Sequence, residues 1–316
     1  LEDLREFLRA YGAANREFRQ QVEISFSKPI SEENEDNIPY YQNQLSGAFE
    51  NYYGYMDYED KYRSTRDVYI FLSKAEKNLK KGNFNETFCI SAAILMEVIE
   101  AIEYIDDSFG ECGAIINRSI DYISEVLEKT DSKELKLRVF NWLNEQVQNP
   151  NYNNYVGGEE LEPLFIKTAI ALKQRDLAYT FIKEELKGIE EFDSWTKDYA
   201  LQKYLKYQLE LLQSEGRVKE ADNLIDEHLQ LVDFRKIRIN QYLGDRDFKT
   251  AEILVLEGIE IAKEKEVLGT ANNWKILLLS IYEQAKESNK LNALARILFI
   301  ENSNEIEYYR KFKESC

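Results

Sequence analysis

Residues 207–229 read YQLELLQSEGRVKEADNLIDEHL. Leu205, Leu209 and Leu212 before Gly216, and Ala221, Leu224 and Ile225 after it, recur at three- and four-residue spacing, the period of an amphipathic helix. The four residues Glu215-Gly216-Arg217-Val218 between them form a turn. Ala221 stands three places after Val218, where a side chain larger than methyl would hold two paired helices apart. The stretch is a helix, a tight turn and a second helix folded back on the first.

Working outward, the same arrangement recurs: an amphipathic helix, a short turn with Gly, Asn or Asp, one apolar residue, another amphipathic helix. The turns are Lys81-Gly82-Asn83-Phe84, Gln174-Arg175-Asp176-Leu177, Arg246-Asp247-Phe248 and Ser288-Asn289-Lys290-Leu291. Successive marks Leu177, Val218, Phe248 and Leu291 lie 41, 30 and 43 residues apart, intervals that bracket the periods of helical-hairpin arrays. Ala251 repeats the small residue three places after its mark, Phe248. The predicted fold is all-α, an α-solenoid of antiparallel helical hairpins with fourteen to sixteen helices at the usual helix length.

Composition agrees. A chain of 316 residues exceeds the usual size of one compact core, and only 4 Pro and 13 Gly punctuate it. Fifty-eight acidic against 41 basic residues leave a formal charge of −17, which opposes a phosphate backbone, so nucleic-acid binding by this chain is not expected. Cys89, Cys112 and Cys316 form no framework, and sparse reduced thiols point to the cytoplasm. The longest apolar runs, such as 276–281, fall far short of the roughly 20 residues that span a bilayer. Leu1 in place of Met is read as a sign that coding sequence precedes it.

Ahead of the hairpins, Leu4, Phe7, Leu8 and Tyr11, continued by Phe18, Val22 and Phe26, predict one amphipathic helix over 1–27, stopped by Lys28 and Pro29. SEENEDNIP, 31–39, acidic and polar with Pro at its end, is a loop or linker. Residues 40–72 carry Tyr40, Tyr41, Tyr52, Tyr53, Tyr55, Tyr58, Tyr62 and Tyr69. Tyr pairs a large apolar ring with a hydroxyl, so these rings suit packing between helices or a peptide-stacking groove. NPNYNNYVGG, 149–158, is a connector or a binding loop, and its Tyr152 and Tyr155 join Tyr52, Tyr53, Tyr55 and Tyr58 as candidate partner contacts. The expected organisation is an N-terminal helical unit, 1–67, and a helical-repeat domain, 68–316, with a possible sub-boundary at 149–158.

The 207–229 stretch resembles a degenerate tetratricopeptide repeat, with its Tyr, turn Gly and following Ala in their usual places. That resemblance implies a right-handed superhelix whose concave face holds a partner. A wider resemblance is carried by DDSFGECGAIINRSIDYISEVL (106–127), FNWLNEQVQNPNYNNYVGGEELEPLFI (140–166) and NWKILLLSIYEQAKESNKLNALARILF (273–299), closing in EIEYYRKFKES. These blocks resemble the helical region downstream of the zinc finger in bacterial SWIM-type zinc-finger proteins. That finger needs a Cys-x-Cys pair and a Cys-x-His pair to close four N or S ligands about zinc. Three scattered Cys and the single His228 cannot supply them, so no zinc or nucleic-acid role is carried to any residue here; under this resemblance the finger precedes Leu1.

Catalytic chemistry is not expected. One histidine, within DEHLQL, leaves no base for a Ser or Cys nucleophile and reads as a structural side chain. Adjacent acid pairs such as Asp106-Asp107, Glu159-Glu160, Glu184-Glu185 and Glu190-Glu191 diverge by about 100° on a helix and do not converge on one atom. Val156-Gly157-Gly158-Glu159 follows an Asn-rich loop, not the strand a phosphate loop requires. Arg235, Lys236 and Arg238, and again Arg310, Lys311 and Lys313, have acids nearby and form no extended stripe.

The core is predicted from Leu95, Ile99, Ile116, Ile120, Trp142, Leu143, Phe165, Leu172, Phe181, Leu205, Leu209, Leu224, Ile253, Leu256, Trp274, Leu278, Ile281, Leu294 and Leu298. The expected function is a non-catalytic scaffold that binds a peptide or protein partner, as a monomer, without cofactor, metal or membrane. The alternative is the partner-recruiting region of a zinc-finger protein. An enzyme would need inward carboxylates from two different hairpins.

Overall fold

The computed structural model describes residues 2–27, 36–49, 58–101, 110–149, 158–189 and 194–301. Among them the backbone forms fifteen α-helices and no strand. The chain divides into two compact units, residues 1–181 and 182–316. The first holds α1 (Glu2–Ala14), α2 (Arg16–Phe26), α3 (Ile38–Phe49), α4 (Tyr58–Lys81), α5 (Phe84–Ala101), α6 (Glu111–Lys129), α7 (Lys133–Gln146), α8 (Gly158–Leu172) and the start of α9 (Arg175–Gly188). The second holds the rest of α9, then α10 (Ser194–Ser214), α11 (Val218–Glu227), α12 (Val232–Gly244), α13 (Phe248–Glu264), α14 (Leu268–Ala285) and α15 (Ser288–Glu301).

Six helix pairs are joined by one and the same turn. After α10 the Gly216 N–H donates to the Gln213 carbonyl and the Arg217 N–H to the Leu212 carbonyl, both at 3.0 Å, and Gly216 sits at φ +69°. This is the Schellman closure, which satisfies the orphan carbonyls at a helix end through one left-handed residue. The same pair of hydrogen bonds follows α4, α8, α12, α13 and α14, with Gly82, Lys173, Arg246, Glu266 and Lys286 as the left-handed residue. In every case the next helix begins two residues later.

Four residues into that next helix stands a buried small side chain in five of the six turns: Thr87, Ala178, Ala221, Ala251 and Ala271. The predicted turns before Phe84, Val218 and Phe248 are therefore in register. The other two predicted turns lie later than the real ones, because Leu177 and Leu291 are inside α9 and α15. The turn after α13 is new. It contains no Gly, Asn or Asp, only Lys265-Glu266-Val267, and it splits the 43-residue interval, so that α13, α14 and α15 begin twenty residues apart.

The single helix expected over 1–27 is two. Asn15 takes an extended conformation and its side chain accepts the Phe18 N–H at 2.9 Å, capping α2 and ending α1. α1 meets α2 through Tyr11 edge-to-face on Phe18, 4.9 Å apart. Leu4, Phe7, Leu8 and Tyr11, the apolar stripe of α1, are exposed.

The core of the first unit is built around α5, whose residues 87–95 are buried without interruption. A helix apolar on all sides has to be enclosed, and α3, α4 and α6 lie against it. Phe88 packs edge-to-face on Trp142 at 5.7 Å, and Phe140 stacks on Phe165 at 5.4 Å. The expected boundary at 67/68 falls within α4, and most of 149–158 lies outside the described residues.

In the second unit one cluster joins α10, α11 and Phe234 of α12, and another joins Ile239 to α13, α14 and α15. Ile253 and Leu256, expected in the core, are 48% and 44% exposed. The apolar stripe of α13 that faces its neighbours runs through Ala251, Leu254, Val255, Gly258, Ile259 and Ala262, and Ile253 and Leu256 lie on the face that carries Lys249, Glu257 and Glu260. Leu172, last residue of α8, is half-buried. The other predicted core residues are buried.

Candidate functional site

Lys74, Lys77 and Lys81 share one face of α4 by their spacing of three and four. Leu79, Ala75 and Leu72 hold the opposite face in the core, so the lysine face is turned to a cavity of about 720 Å³. Its other walls are the end of α2, the first turn of α5 and the first turns of α7, which add Phe26, Asn83 to Glu86, Ser132, Leu135 and Arg138. Among the described residues of the lining, four cations, Lys74, Lys77, Lys81 and Arg138, face two carboxylates, Glu86 and Glu134, in a chain whose net charge is −17.

Lys74 is only 7% exposed. Its ammonium donates to the Ser27 carbonyl at 2.7 Å and to Ser27 Oγ at 3.1 Å, and it lies 4.9 Å from the centre of the Tyr41 ring. Among the described residues no carboxylate pairs with it, and burial pushes its pKa down to about 8, with Glu86 pulling the other way. Glu86 is engaged by Asn37, whose Nδ2 donates to Oε1 at 3.2 Å. Lys77 and Lys81 are exposed and form no ion pair among the described residues. Asn83 precedes α5, so the positive end of that helix dipole points into the same space. At α7, Ser132 Oγ already accepts the Leu135 N–H at 3.2 Å.

Burial, followed by Glu86, holds the Tyr41 phenol well above its ordinary range. The nearby Cys89 thiol is pushed up to about 12, chiefly by burial, although Arg138 Nη2 is 3.9 Å away. A thiol held protonated is a poor nucleophile. Among the described residues the lining contains no histidine and no cysteine, and no group of three or more His, Cys, Asp or Glu could hold a metal. What the arrangement can do is bind: it offers ammonium and guanidinium donors, Asn amides and apolar rings to a ligand of a few residues' size.

The sequence-predicted contacts are elsewhere. Tyr52, Tyr53, Tyr55, Tyr152 and Tyr155 lie outside the described residues, and Tyr58 is described only as the first backbone position of α4. From the same cluster, Tyr41 is a core residue, packed edge-to-face on Tyr40 at 5.1 Å and on Phe71 at 6.4 Å. His228 ends α11, half-buried, edge-to-face on Phe234 at 5.9 Å, and burial lowers its pKa. The basic pair Arg235 and Arg238 is structural. Arg235 is buried and donates to the Leu229 and Leu254 carbonyls, both at 2.8 Å, while Arg238 ties Asp222 and Asp226 of α11 to α12.

Sequence reasoning missed the lysine face. Its signal was available as S-K-A-E-K-N-L-K-K-G-N, 73–83, a cationic stripe running into a turn, but nothing local says that residues 25–27 and 130–138 close over it.

No family model matches the chain, and no curated protein matches it. No helix among the described residues is long and apolar enough to cross a membrane. Among solved structures the chain is similar to a circular tandem repeat protein with novel repeat topology and enhanced subunit contact surfaces, at 15% identity over 99% of this chain and 74% of that one, with a TM-score of 0.20. The helical-repeat architecture is carried by the six equivalent turns of the chain itself.

Proposed function

We propose that the chain is a non-catalytic scaffold of helical hairpins that binds a peptide or protein partner, a segment of which sits in the cavity of the first unit. The supporting observation is the lining itself. Asn78, Asn83 and Asn85, with donor and acceptor on each side chain, stand beside Phe26, Phe84 and Leu135, the mixture that peptide main chain and side chains require. A photo-crosslinking residue at Asn78 tests it against one at Tyr199, an exposed position of the second unit. Cross-linking of a host protein from position 78 and not from 199 is expected; equal labelling from both, or none from 78, overturns the reading.

The blocks that resemble SWIM-type proteins favour a second reading, in which the region recruits a partner for a zinc finger elsewhere in the same gene product. Capture would then require the finger-bearing product and be lost on zinc chelation, whereas capture by the present chain alone, insensitive to chelator, supports the first.

A further inference from the structure

We infer that the segment the cavity takes is acidic, an Asp- or Glu-rich stretch whose carboxylates bind the face formed by Lys74, Lys77 and Lys81. The inference rests on the scaffold reading and adds the chemistry of the partner. Buried or half-enclosed cations are normally paired, because removing an ammonium from water is costly unless an anion replaces the solvent. Lys74 is enclosed with two oxygens of Ser27 as its only acceptors among the described residues. Lys77 and Lys81, on the same face, have no carboxylate partner among the described residues. In this chain acids outnumber bases, 58 to 41, and other lysines, such as Lys187, Lys206, Lys263 and Lys290, find a carboxylate within 3.1 Å. Exposed lysines elsewhere, such as Lys183, Lys219 and Lys249, also have no ion pair among the described residues; what distinguishes Lys74, Lys77 and Lys81 is that they line one wall of a single cavity and that Lys74 is buried.

The α5 N-terminus adds to the positive field there, since a helix N-terminus favours a negative group. The Asn amides present acceptors for the N–H groups of a peptide that carries the carboxylates.

The test is fluorescence polarisation with a labelled tetrapeptide of alternating glutamate and aspartate, its glutamine and asparagine counterpart, and unlabelled inorganic phosphate as competitor. The acidic peptide is expected to bind at least ten-fold more tightly than the neutral one and to weaken as salt rises, since surface charge interactions are screened within about 8 Å at 0.15 M. K77Q/K81Q should lower its affinity ten-fold or more with an unchanged melting temperature, while K183Q, an exposed lysine of the second unit, should leave it intact. Equal binding of both peptides, equal loss in K183Q, no binding of the acidic peptide, or displacement by phosphate at concentrations comparable to the peptide each overturns the inference. If K77Q/K81Q abolishes nothing yet the position-78 cross-link to a host protein persists, the acidic partner is wrong and the scaffold stands.

Discussion

Lys173, Arg246, Glu266 and Lys286 hold the left-handed conformation at φ between +57° and +61°, where a side chain costs about 1–2 kcal/mol that glycine does not incur. Glycine gives part of that back through the entropy of its unfolded state, roughly 0.5–1 kcal/mol. Replacing any of the four by Gly should therefore raise stability by a few tenths to about 1 kcal/mol, read as a higher urea midpoint. Gly82→Ala and Gly216→Ala should lower it, although at both sites the space a Cβ would fill is open; a neutral result would mean the turns relax. These residues also mark the limit of sequence reading at this scale. Turns at Gly82 and Gly216 were legible, and the turn at Glu266 was not, because a backbone closure shared by all six can be held by Lys, Arg or Glu once the flanking helices are packed. Lys74 yields a pH prediction. Its pKa is near 8 in the fold and 10.5 when free, so the unfolded chain binds the extra proton between those values, and this group's contribution makes the fold more stable as pH rises from 8 to 10.5. Lys74→Met removes that contribution. The difference in unfolding free energy between wild type and variant should narrow or change sign in favour of wild type across this window, and a constant difference would show that Lys74 titrates normally in the fold.

At the scale of elements, Gly258 lies in the middle of α13, where alanine would ordinarily gain up to about 1 kcal/mol in helix propensity. Here an added Cβ would stand 3.0 Å from Arg235 Cδ on α12 and 3.0 Å from Trp274 Cε2 on α14. The Trp ring is buried and cannot swing aside, and the Arg235 guanidinium is fixed by two carbonyls. Gly258→Ala should destabilise by about 1–3 kcal/mol through overpacking. Gly244→Ala, at the exposed end of α12 with nothing near its Cβ position, should be neutral or stabilising, and thermal melts of the pair separate sterics from propensity. The same close packing explains which element faces were legible. α5 is apolar on all sides and could only be internal. In α13 Ile253 and Leu256 share their face with Lys249, Glu257, Glu260 and Lys263, whereas Ala251, Leu254, Val255, Gly258, Ile259 and Ala262 form the continuous stripe that is buried, so the full helical period names the buried face where two isolated apolar residues do not. α1 and α2 read as one helix because the apolar spacing runs on through Asn15, whose cap is a matter of one side-chain oxygen.

For the whole molecule, the helical class was legible because so few breakers and so regular an apolar period leave no other secondary structure; the cavity was not, because its walls come from residues 25–27, 74–86 and 130–138, which only the tertiary fold brings together. Net charge sets up opposite responses to salt in fold and ligand. At −17 the chain repels itself, which disfavours the compact state. The ion pairs that could offset this, Lys80–Glu76, Lys167–Glu128 and Lys187–Glu184 among them, are largely exposed, and such pairs contribute about 0–1 kcal/mol each. Shortening the screening length from about 10 Å at 0.1 M to about 3 Å at 1 M should relieve the repulsion more than it weakens those pairs, so the melting temperature should rise with sodium chloride. The acidic peptide should dissociate over the same range, since its attraction is to three lysines within a single cavity. A melting temperature that falls with salt would mean that ion pairs, such as those Arg238 makes with Asp222 and Asp226, outweigh net repulsion in holding the hairpins together.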